Sequence, residues 1–579
     1  MRFKGLLWLP AFRVSSKWKV RLDADLIEKR SGCFLAPDMP RRSSQCFAAS
    51  FCINHKQFVH LSHNGSNPDA TLTTIPVIHR RFCTVRIARI FLVAAVFLVL
   101  GHQALAQGPS ANSVAPLDSQ RIQSIDSFVA NEMTRQRIPG LAVGIYSRGR
   151  ILLAKGYGQA NVELGVPVKA ETIFQSGSVG KQFVSAAIMM LVEEGKLSLD
   201  DSLTKYFPGA PATWKPILIK NLLSHTSGLS EYESDDRTGP KGPFYLRLDF
   251  TEDELTAKIE ALPIEWAPGD QWAYRNTNYV ILGILIHKVT GKQYAEFLAE
   301  RIFKPLGMTS TRLISESEII PNRAAGYEIH DEQLKNQQWI SPTFNSTADG
   351  TLYFNVIDIA KWDEALYGTR LLKQTSLDRI WTVYPLSDGK PNPGGYGFAW
   401  FVDQQNGHKR IQHSGANQGF TCNISRYPDD SLTVAVLTNL DVGNSNPGTI
   451  AHVIAGLVES PLLPEKLAAV PDSQPAIAAS LAKTLDELVE GADIRPQTTA
   501  KLAALITPDM VKGLRQRLSK LWPGGKLTLV KRTPLSDDPG QFNSTFRLSK
   551  GAEALLIGFS LNADGKISSL GFSPDREYE

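Results

Sequence analysis

Residues 173–192 read IFQSGSVGKQFVSAAIMMLV, a polar, glycine-loosened stretch running straight into a long apolar one. From Val179 to Glu194 apolar residues occupy nearly every face of a 3.6-residue period. The segment therefore reads as a helix buried in a core, not one lying on a surface. Ser178 and Lys181 stand at its entrance, where a strand-loop gives way to the helix. Positions i and i+3 share a helix face, which places Lys181 one turn behind the Ser178 hydroxyl. An ammonium in apolar surroundings is pushed toward its neutral form and can then take a proton. The free N–H groups of a helix N-terminus favour a developing oxyanion. The pair is thus a candidate nucleophile with its base, and the competing reading of Ser178 is a plain N-cap. Ser-x-x-Lys alone discriminates little, because it recurs at Ser202/Lys205, Ser387/Lys390 and Ser480/Lys483 in loop or surface-helix contexts.

Upstream, an amphipathic helix fits 118–136, with Ile122, Ile125, Phe128, Val129 and Met133 on one stripe. Two strands follow, GLAVGIYS (140–147) and RILLAKGYG (150–158), joined by Arg148-Gly149. Residues 200–345 read mostly as helices and loops closed by Gly or Pro. Strand-like runs return in YGFAWFVDQ (396–404), KRIQHSG (409–415), QGFTCNISRYP (418–428) and SLTVAVLTNL (431–440). A helix, PGTIAHVIAGLVES (447–460), ends the block. Strands at both ends with helices between imply an α/β (α+β) fold: one antiparallel sheet flanked by helices, a mostly helical inserted region, and a cleft between them. Residues 459–475, Pro-rich and aperiodic, read as a linker. Residues 476–579 read as a small α+β accessory domain, helices first and strands after. Its NADG (562–565) is a hairpin turn and not a calcium loop, since Gly571 stands where the twelfth-position Glu would be.

Residues 86–106, RIARIFLVAAVFLVLGHQALA, carry the marks of a secretory signal: Arg86 and Arg89, the apolar run Ile90 to Leu100, and Ala104-Leu105-Ala106. The apolar run is short for a bilayer span, so a short membrane anchor is the lesser reading. Residues 1–85, rich in Arg, Ser and Cys without periodicity, read as a non-native or disordered extension. Cleavage after Ala106 removes 15 of 62 Lys+Arg and 5 of 57 Asp+Glu, leaving 47 against 52 and a net charge of −5. Such a chain has no electrostatic footprint for nucleic acid. Four of the five cysteines leave too (Cys33, Cys46, Cys52, Cys83), so the remaining Cys422 has no disulfide partner and no cysteine metal site exists. The expected protein is secreted or periplasmic, with no stable membrane span after cleavage.

Two further clusters bear on chemistry. PGDQWAYRNTNYVILG (268–283) places Tyr274 and Asn276 at a helix entry. The phenol could relay the serine proton beside an ammonium, and Asn276 could hold Lys181 and a substrate amide together. The bland reading is an aromatic anchor with an N-cap Asn. IQHSGANQGF (411–420) puts His413, Ser414, Gly415 and Ala416 at a strand end. Gly415 would let a substrate backbone approach, and the Ala416 N–H could be a second oxyanion donor. A lone His at a strand edge is more often simply satisfied.

At these three places, in this order, the chain resembles the serine β-lactamase and penicillin-recognising hydrolase superfamily. It is most similar to the class C branch with its DD-peptidase, D-aminopeptidase and family VIII esterase relatives. LLSHTSGL (222–229), KPLGMTST (304–311), YGFAW (396–400) and PDDSLTVAVLTN (428–439) extend the likeness over about residues 118–458. The resemblance implies a hydrolase domain over 115–458, with Ser178 as nucleophile and Lys181 as base. It makes Tyr274 and Asn276 the Tyr-x-Asn pair, and sets His413-Ser414-Gly415 where class C β-lactamases have Lys-Thr-Gly. Arg275 departs from the usual small residue between Tyr and Asn. His413, with an ordinary pKa of about 6.5, should hold a substrate carboxylate less firmly than lysine does. The expectation is an exported serine hydrolase forming a Ser178 acyl-enzyme on a small-molecule or short-peptide ester or amide, esterase- or D-amino-acid peptidase- or DD-carboxypeptidase-like. It needs no metal and no cofactor. The alternatives are a β-lactamase, or a non-catalytic β-lactam or cell-wall ligand sensor on the same fold. His225, in SHTSGL, reads as structural.

Overall fold

The computed structural model describes residues 114–574 apart from 464–466, 504–505, 507, 535–540 and 552. The expected extension 1–85 and the secretory signal 86–106 lie outside the described residues.

The sheet forms as its pattern demands. Gly140–Ser147 (β1), Arg150–Asn161 (β2) and Val166–Pro167 (β3) come from the early block. Phe401–Gln405 (β4), His408–Asn417 (β5), Phe420–Tyr427 (β6) and Leu432–Thr438 (β7) come from the late one. They join in the order β3-β2-β1-β7-β6-β5-β4, every pair antiparallel. The seam between the two ends of the chain is β1 against β7, with Val143 opposite Val436. Residues 141, 143 and 145 face one side of the sheet and 142 and 146 the other, as a period of two requires. On the first face Leu141, Val143 and Ile145 meet Ile125 and Val129 of helix α1 (Ser119–Gln136). On the second, Ala142 and Tyr146 share a core with Val356 and Ile359. A strand covered on both faces reads as a continuous apolar run, and β1 does.

The inserted region packs around two helices, α2 (Lys181–Glu193) and α3 (Asn276–Thr290). Phe183, Ile188 and Leu191 of α2 and Tyr279, Leu282 and Ile286 of α3 lie in one large core. Every residue of α2 from Lys181 to Leu191 is buried, which accounts for its all-round apolar character. The α-helix begins at Lys181, two residues later than the apolar pattern suggests. Gly177–Gly180 form a preceding 3₁₀ turn that carries Ser178.

Beyond the sheet's last helix, Pro447–Val458, helices α4 (Pro475–Glu490) and α5 (Pro508–Leu521) pack on a four-stranded antiparallel meander. Leu481, Leu485, Phe546, Leu548, Ile557 and Phe559 make its core, which shares no residue with the others. Asn562 to Lys566 close its last hairpin, with the Asn562 N–H donating to the Lys566 carbonyl at 2.8 Å.

One strand is shorter than its sequence promised. In YGFAWFVDQ only the end from Phe401 is strand, because Ala399 adopts a φ of +67°, which breaks extended backbone. Among the described residues no helix is long and apolar enough to cross a membrane.

Candidate active site

The 3₁₀ turn holding Ser178 is pinned on both sides. The Ser176 N–H donates to the Leu352 carbonyl (2.8 Å), and Ser176 Oγ donates to the Gly350 carbonyl (2.9 Å). The buried Cys422 thiol donates to the Ser176 carbonyl (2.9 Å). Strand β5 presses against the same turn. A Cβ on Gly415 would collide with the Ser176 oxygen and stand 3.0 Å from the Ser178 nitrogen, and one on Gly177 would collide with the Ala416 nitrogen. The missing side chain of Gly415 thus serves the approach of the nucleophile turn itself. The same packing brings the Ser178 and Ala416 backbone nitrogens together, the pair an oxyanion would need.

Lys181 is fully buried, and its ammonium is fully spent. It donates to Ser178 Oγ (2.9 Å), to Asn276 Oδ1 (2.8 Å) and to the Asp349 carbonyl. Asn276 is the first residue of α3, so the helix start delivers its side chain to the lysine. Tyr274 lies on the other side, its ring centroid 5.1 Å from Lys181 Nζ. Its hydroxyl is buried and faces Lys181 and Ser178, without a hydrogen bond of ordinary geometry among the described residues. Burial raises its pKa, and the Lys181 charge only partly opposes this. The phenol is held neutral, not poised as phenolate.

His413 is buried and satisfied at both nitrogens. Nδ1 lies 2.6 Å from the Ser414 carbonyl, which can only accept, so Nδ1 carries the proton. Nε2 then accepts from the Tyr396 hydroxyl at 2.9 Å. Burial first, and the Lys181 charge second, push its pKa down to about 3. The ordinary value near 6.5 does not apply here, and the ring stays neutral through the physiological range. Arg275 turns away from the centre, its guanidinium on Glu265 (2.6 Å) and over the Trp266 ring.

Ser178, Tyr274, His413, Ser414, Gly415 and Ala416 line one cleft of about 1580 Å³. Lys181 and Asn276 lie behind it, joined to Ser178 by the bonds above. All seven site residues expected from sequence therefore meet at one place.

Two sets of neighbours were not singled out as functional by sequence. His225 stacks on Tyr274 with ring centroids 4.3 Å apart. Its Nδ1 accepts from the Arg275 N–H (3.2 Å) and lies 3.1 Å from Asn278 Nδ2. Burial lowers its pKa well below the usual value. With Ser227 Oγ donating to Asn278 Oδ1 (2.6 Å), the HTSG loop braces the Tyr-x-Asn segment. The second set is acidic. Glu231 Oε2 accepts from the Asn276 N–H (2.6 Å), and Glu233 Oε2 accepts from Asn276 Nδ2 (2.5 Å). Desolvation, then Asp349 and Glu231, push Glu233 up to about 8. Only the run EYESDD (231–236) hinted at these, and a solvated loop has the same look. Among the described residues no group of three His, Cys, Asp or Glu side chains is placed to hold a metal ion.

An antiparallel sheet joined from both ends of the chain, a helical insert, and a Ser-x-x-Lys turn between them define a serine β-lactamase-like fold. The chain belongs to the beta-lactamase family, whose model matches residues 125–459. It is 29% identical over 309 residues to Penicillin-binding protein 4* of Bacillus subtilis, covering 50% of this chain and 66% of that one. It is 29% identical over 336 residues to Protein flp of Staphylococcus aureus, covering 56% of this chain and 64% of that one. The match thus spans slightly less than two thirds of these relatives. Among solved structures, the octameric penicillin-binding protein homologue from Pyrococcus abyssi aligns over 79% of this chain and 96% of its own. The TM-score is 0.53 at 24% identity. FmtA from Staphylococcus aureus aligns over 66% and 99%, with TM-score 0.51 at 22% identity. These two likenesses concern the fold.

Proposed function

We propose that this protein is an exported serine hydrolase that cleaves an ester or amide through a Ser178 acyl-enzyme. The observation that carries the reading is the 2.9 Å bond between Lys181 Nζ and Ser178 Oγ at the cleft. Acylation requires Lys181 as the free amine, its ammonium first giving up one proton and its bond to Ser178 reversing: Ser178 Oγ then attacks the substrate carbonyl carbon as its proton passes to the Lys181 nitrogen. The Ser178 and Ala416 N–H groups receive the oxyanion. Tyr274, a neutral phenol beside the lysine, passes its proton to the leaving group as the carbonyl re-forms and takes back the proton that Lys181 received from Ser178, so both groups are restored for deacylation. Water then attacks the acyl-enzyme, its oxygen joining the acyl group and its proton returning to Ser178.

His413 bears on substrate class. A neutral, internally satisfied imidazole offers no cation to a substrate carboxylate, which favours esters and peptide-like amides over anionic β-lactams. Family membership and the penicillin-binding relatives support a hydrolase or penicillin-binding role at the coarser level. Export rests on segment 86–106, and the division into a 115–458 hydrolase domain, a 459–475 linker and a 476–579 accessory domain completes the reading.

The test is direct. Purified protein should hydrolyse p-nitrophenyl esters and be labelled by a fluorophosphonate probe, and Ser178→Ala should lose both. Turnover retained in that variant removes the mechanism. A long-lived covalent adduct without turnover, seen by intact mass, turns the reading to a ligand sensor. Comparing esters, D-Ala-D-Ala peptides and a chromogenic cephalosporin then ranks the substrate classes.

A further inference from the structure

We infer that Glu233 is a positioning residue: it locks the Asn276 amide in the one orientation that presents a carbonyl to Lys181. The inference rests on the hydrolase reading above.

The Asn276 side chain lies between a pure donor and an acceptor. Its Oδ1 accepts from Lys181 Nζ at 2.8 Å, and its Nδ2 donates to Glu233 Oε2 at 2.5 Å. An amide has one accepting end and one donating end. Flipping it would set NH₂ against the ammonium and carbonyl against the carboxyl, losing both bonds at once. Without Glu233 a flip forfeits only the lysine bond, and Nδ2 is left to find another acceptor. The backbone leaves no other freedom, because the Asn276 N–H is already held by Glu231 Oε2 at 2.6 Å. The side-chain torsion is what Glu233 removes.

Glu233 is itself placed by several contacts. Its N–H donates to Glu231 Oε1 at 3.1 Å, and its Oε1 lies 3.2 Å from the Tyr232 hydroxyl. That hydroxyl also donates to Asp349 Oδ2 at 2.7 Å. Tyr232 is buried, stacked on Phe344, and its N–H donates to Thr277 Oγ1 at 2.9 Å. The acidic segment is therefore stitched to the first turn of α3, and Asp349 lends its carbonyl to Lys181. Glu233 is an exposed side chain; desolvation of its carboxyl, then Asp349 and Glu231, raise its pKa, and the lock acts in full where the carboxylate is ionised and can only accept.

The consequence is a pattern across variants, read as the fluorophosphonate labelling rate of Ser178 and as kcat and KM on a p-nitrophenyl ester. Glu233→Ala should slow labelling and kcat about 10- to 100-fold, the scale of a misplaced catalytic partner. Glu233→Gln keeps an acceptor oxygen and should stay within roughly threefold of wild type. In an Asn276→Ala background, Glu233→Ala should add nothing further, because its effect passes through that amide. Glu233→Met, acceptor-free but of similar length, repeats the test should the alanine variant fold poorly. The inference is overturned if wild type is labelled and the Ala and Met variants react equally fast. It is also overturned if Gln is as slow as Ala, or if the two losses multiply in the double variant. If wild type itself is never labelled, the hydrolase reading falls first and this inference with it.

Discussion

His413 shows how far a side chain's surroundings can move its chemistry. Its folded pKa of about 3 lies below the 6.5 of an exposed imidazole. The unfolded chain therefore binds a proton that the folded protein refuses between those values. Stability from this residue is complete above pH 6.5 and drains away as pH falls toward 3. The raised carboxyl of Glu233 works in the opposite sense, its stability present below about 4.5 and lost as pH rises through 8. A comparison of two proteins that both retain Glu233 cancels that slope. His413→Gln should therefore lose stability less steeply than wild type between pH 6 and 4. The slopes should differ by on the order of 1 kcal/mol per pH unit, read by urea unfolding across pH. Parallel slopes would mean that the imidazole titrates normally. The three motif stretches revealed which residues meet, because each couples a reactive side chain to a secondary-structure boundary. The protonation states could not be read that way. They depend on Tyr396 and on Lys181, brought in from distant segments. Glu231 and Glu233 were hidden for a related reason: an acidic loop has no spacing that separates a brace from solvated charge.

Between elements, the close fit of strand β5 to the 3₁₀ turn sets the position of the nucleophile. Gly415 faces the Ser176 oxygen and the Cys422 sulfur, 2.9 Å from where a Cβ would be. The neighbours are backbone and a buried strand side chain, so little can yield. Gly415→Ala should cost about 1–3 kcal/mol of stability, as overpacking does, and should slow labelling of Ser178 far more than it raises KM. Thermal unfolding and probe kinetics check the two parts, and an alanine variant with unchanged labelling would deny the turn its role. The sheet was legible because strands covered on both faces are apolar throughout and end in turn residues. Helix α2 was legible for the same reason. What escaped was the break at Ala399, where an apolar aromatic run hides a positive φ. The hairpin of Tyr327–His330 and Gln333–Asn336 escaped as well, its second strand exposed throughout and so without apolar alternation.

At the scale of the molecule, the cleft that holds Ser178 is bounded by more than the hydrolase fold. Its lining includes Lys520, Leu555 and Phe572, which belong to the C-terminal helices and meander. That segment has a core of its own, and the sheet and helical insert have theirs. Neither therefore depends on the other for burial of its apolar side chains. A wall of this kind should limit the size of what reaches the nucleophile more than it alters the nucleophile itself. A chain ending at residue 474 is therefore expected to keep its fluorophosphonate labelling rate to within a few fold. Its kcat/KM should rise for long-chain or bulky aryl esters relative to p-nitrophenyl acetate. Circular dichroism and thermal unfolding would first establish that the shortened chain is folded. If it is folded and the ratio of bulky to small substrates stays the same, the C-terminal segment does not gate this cleft. If the small ester is lost as well, the segment supports the site's geometry, and the size-selection argument fails.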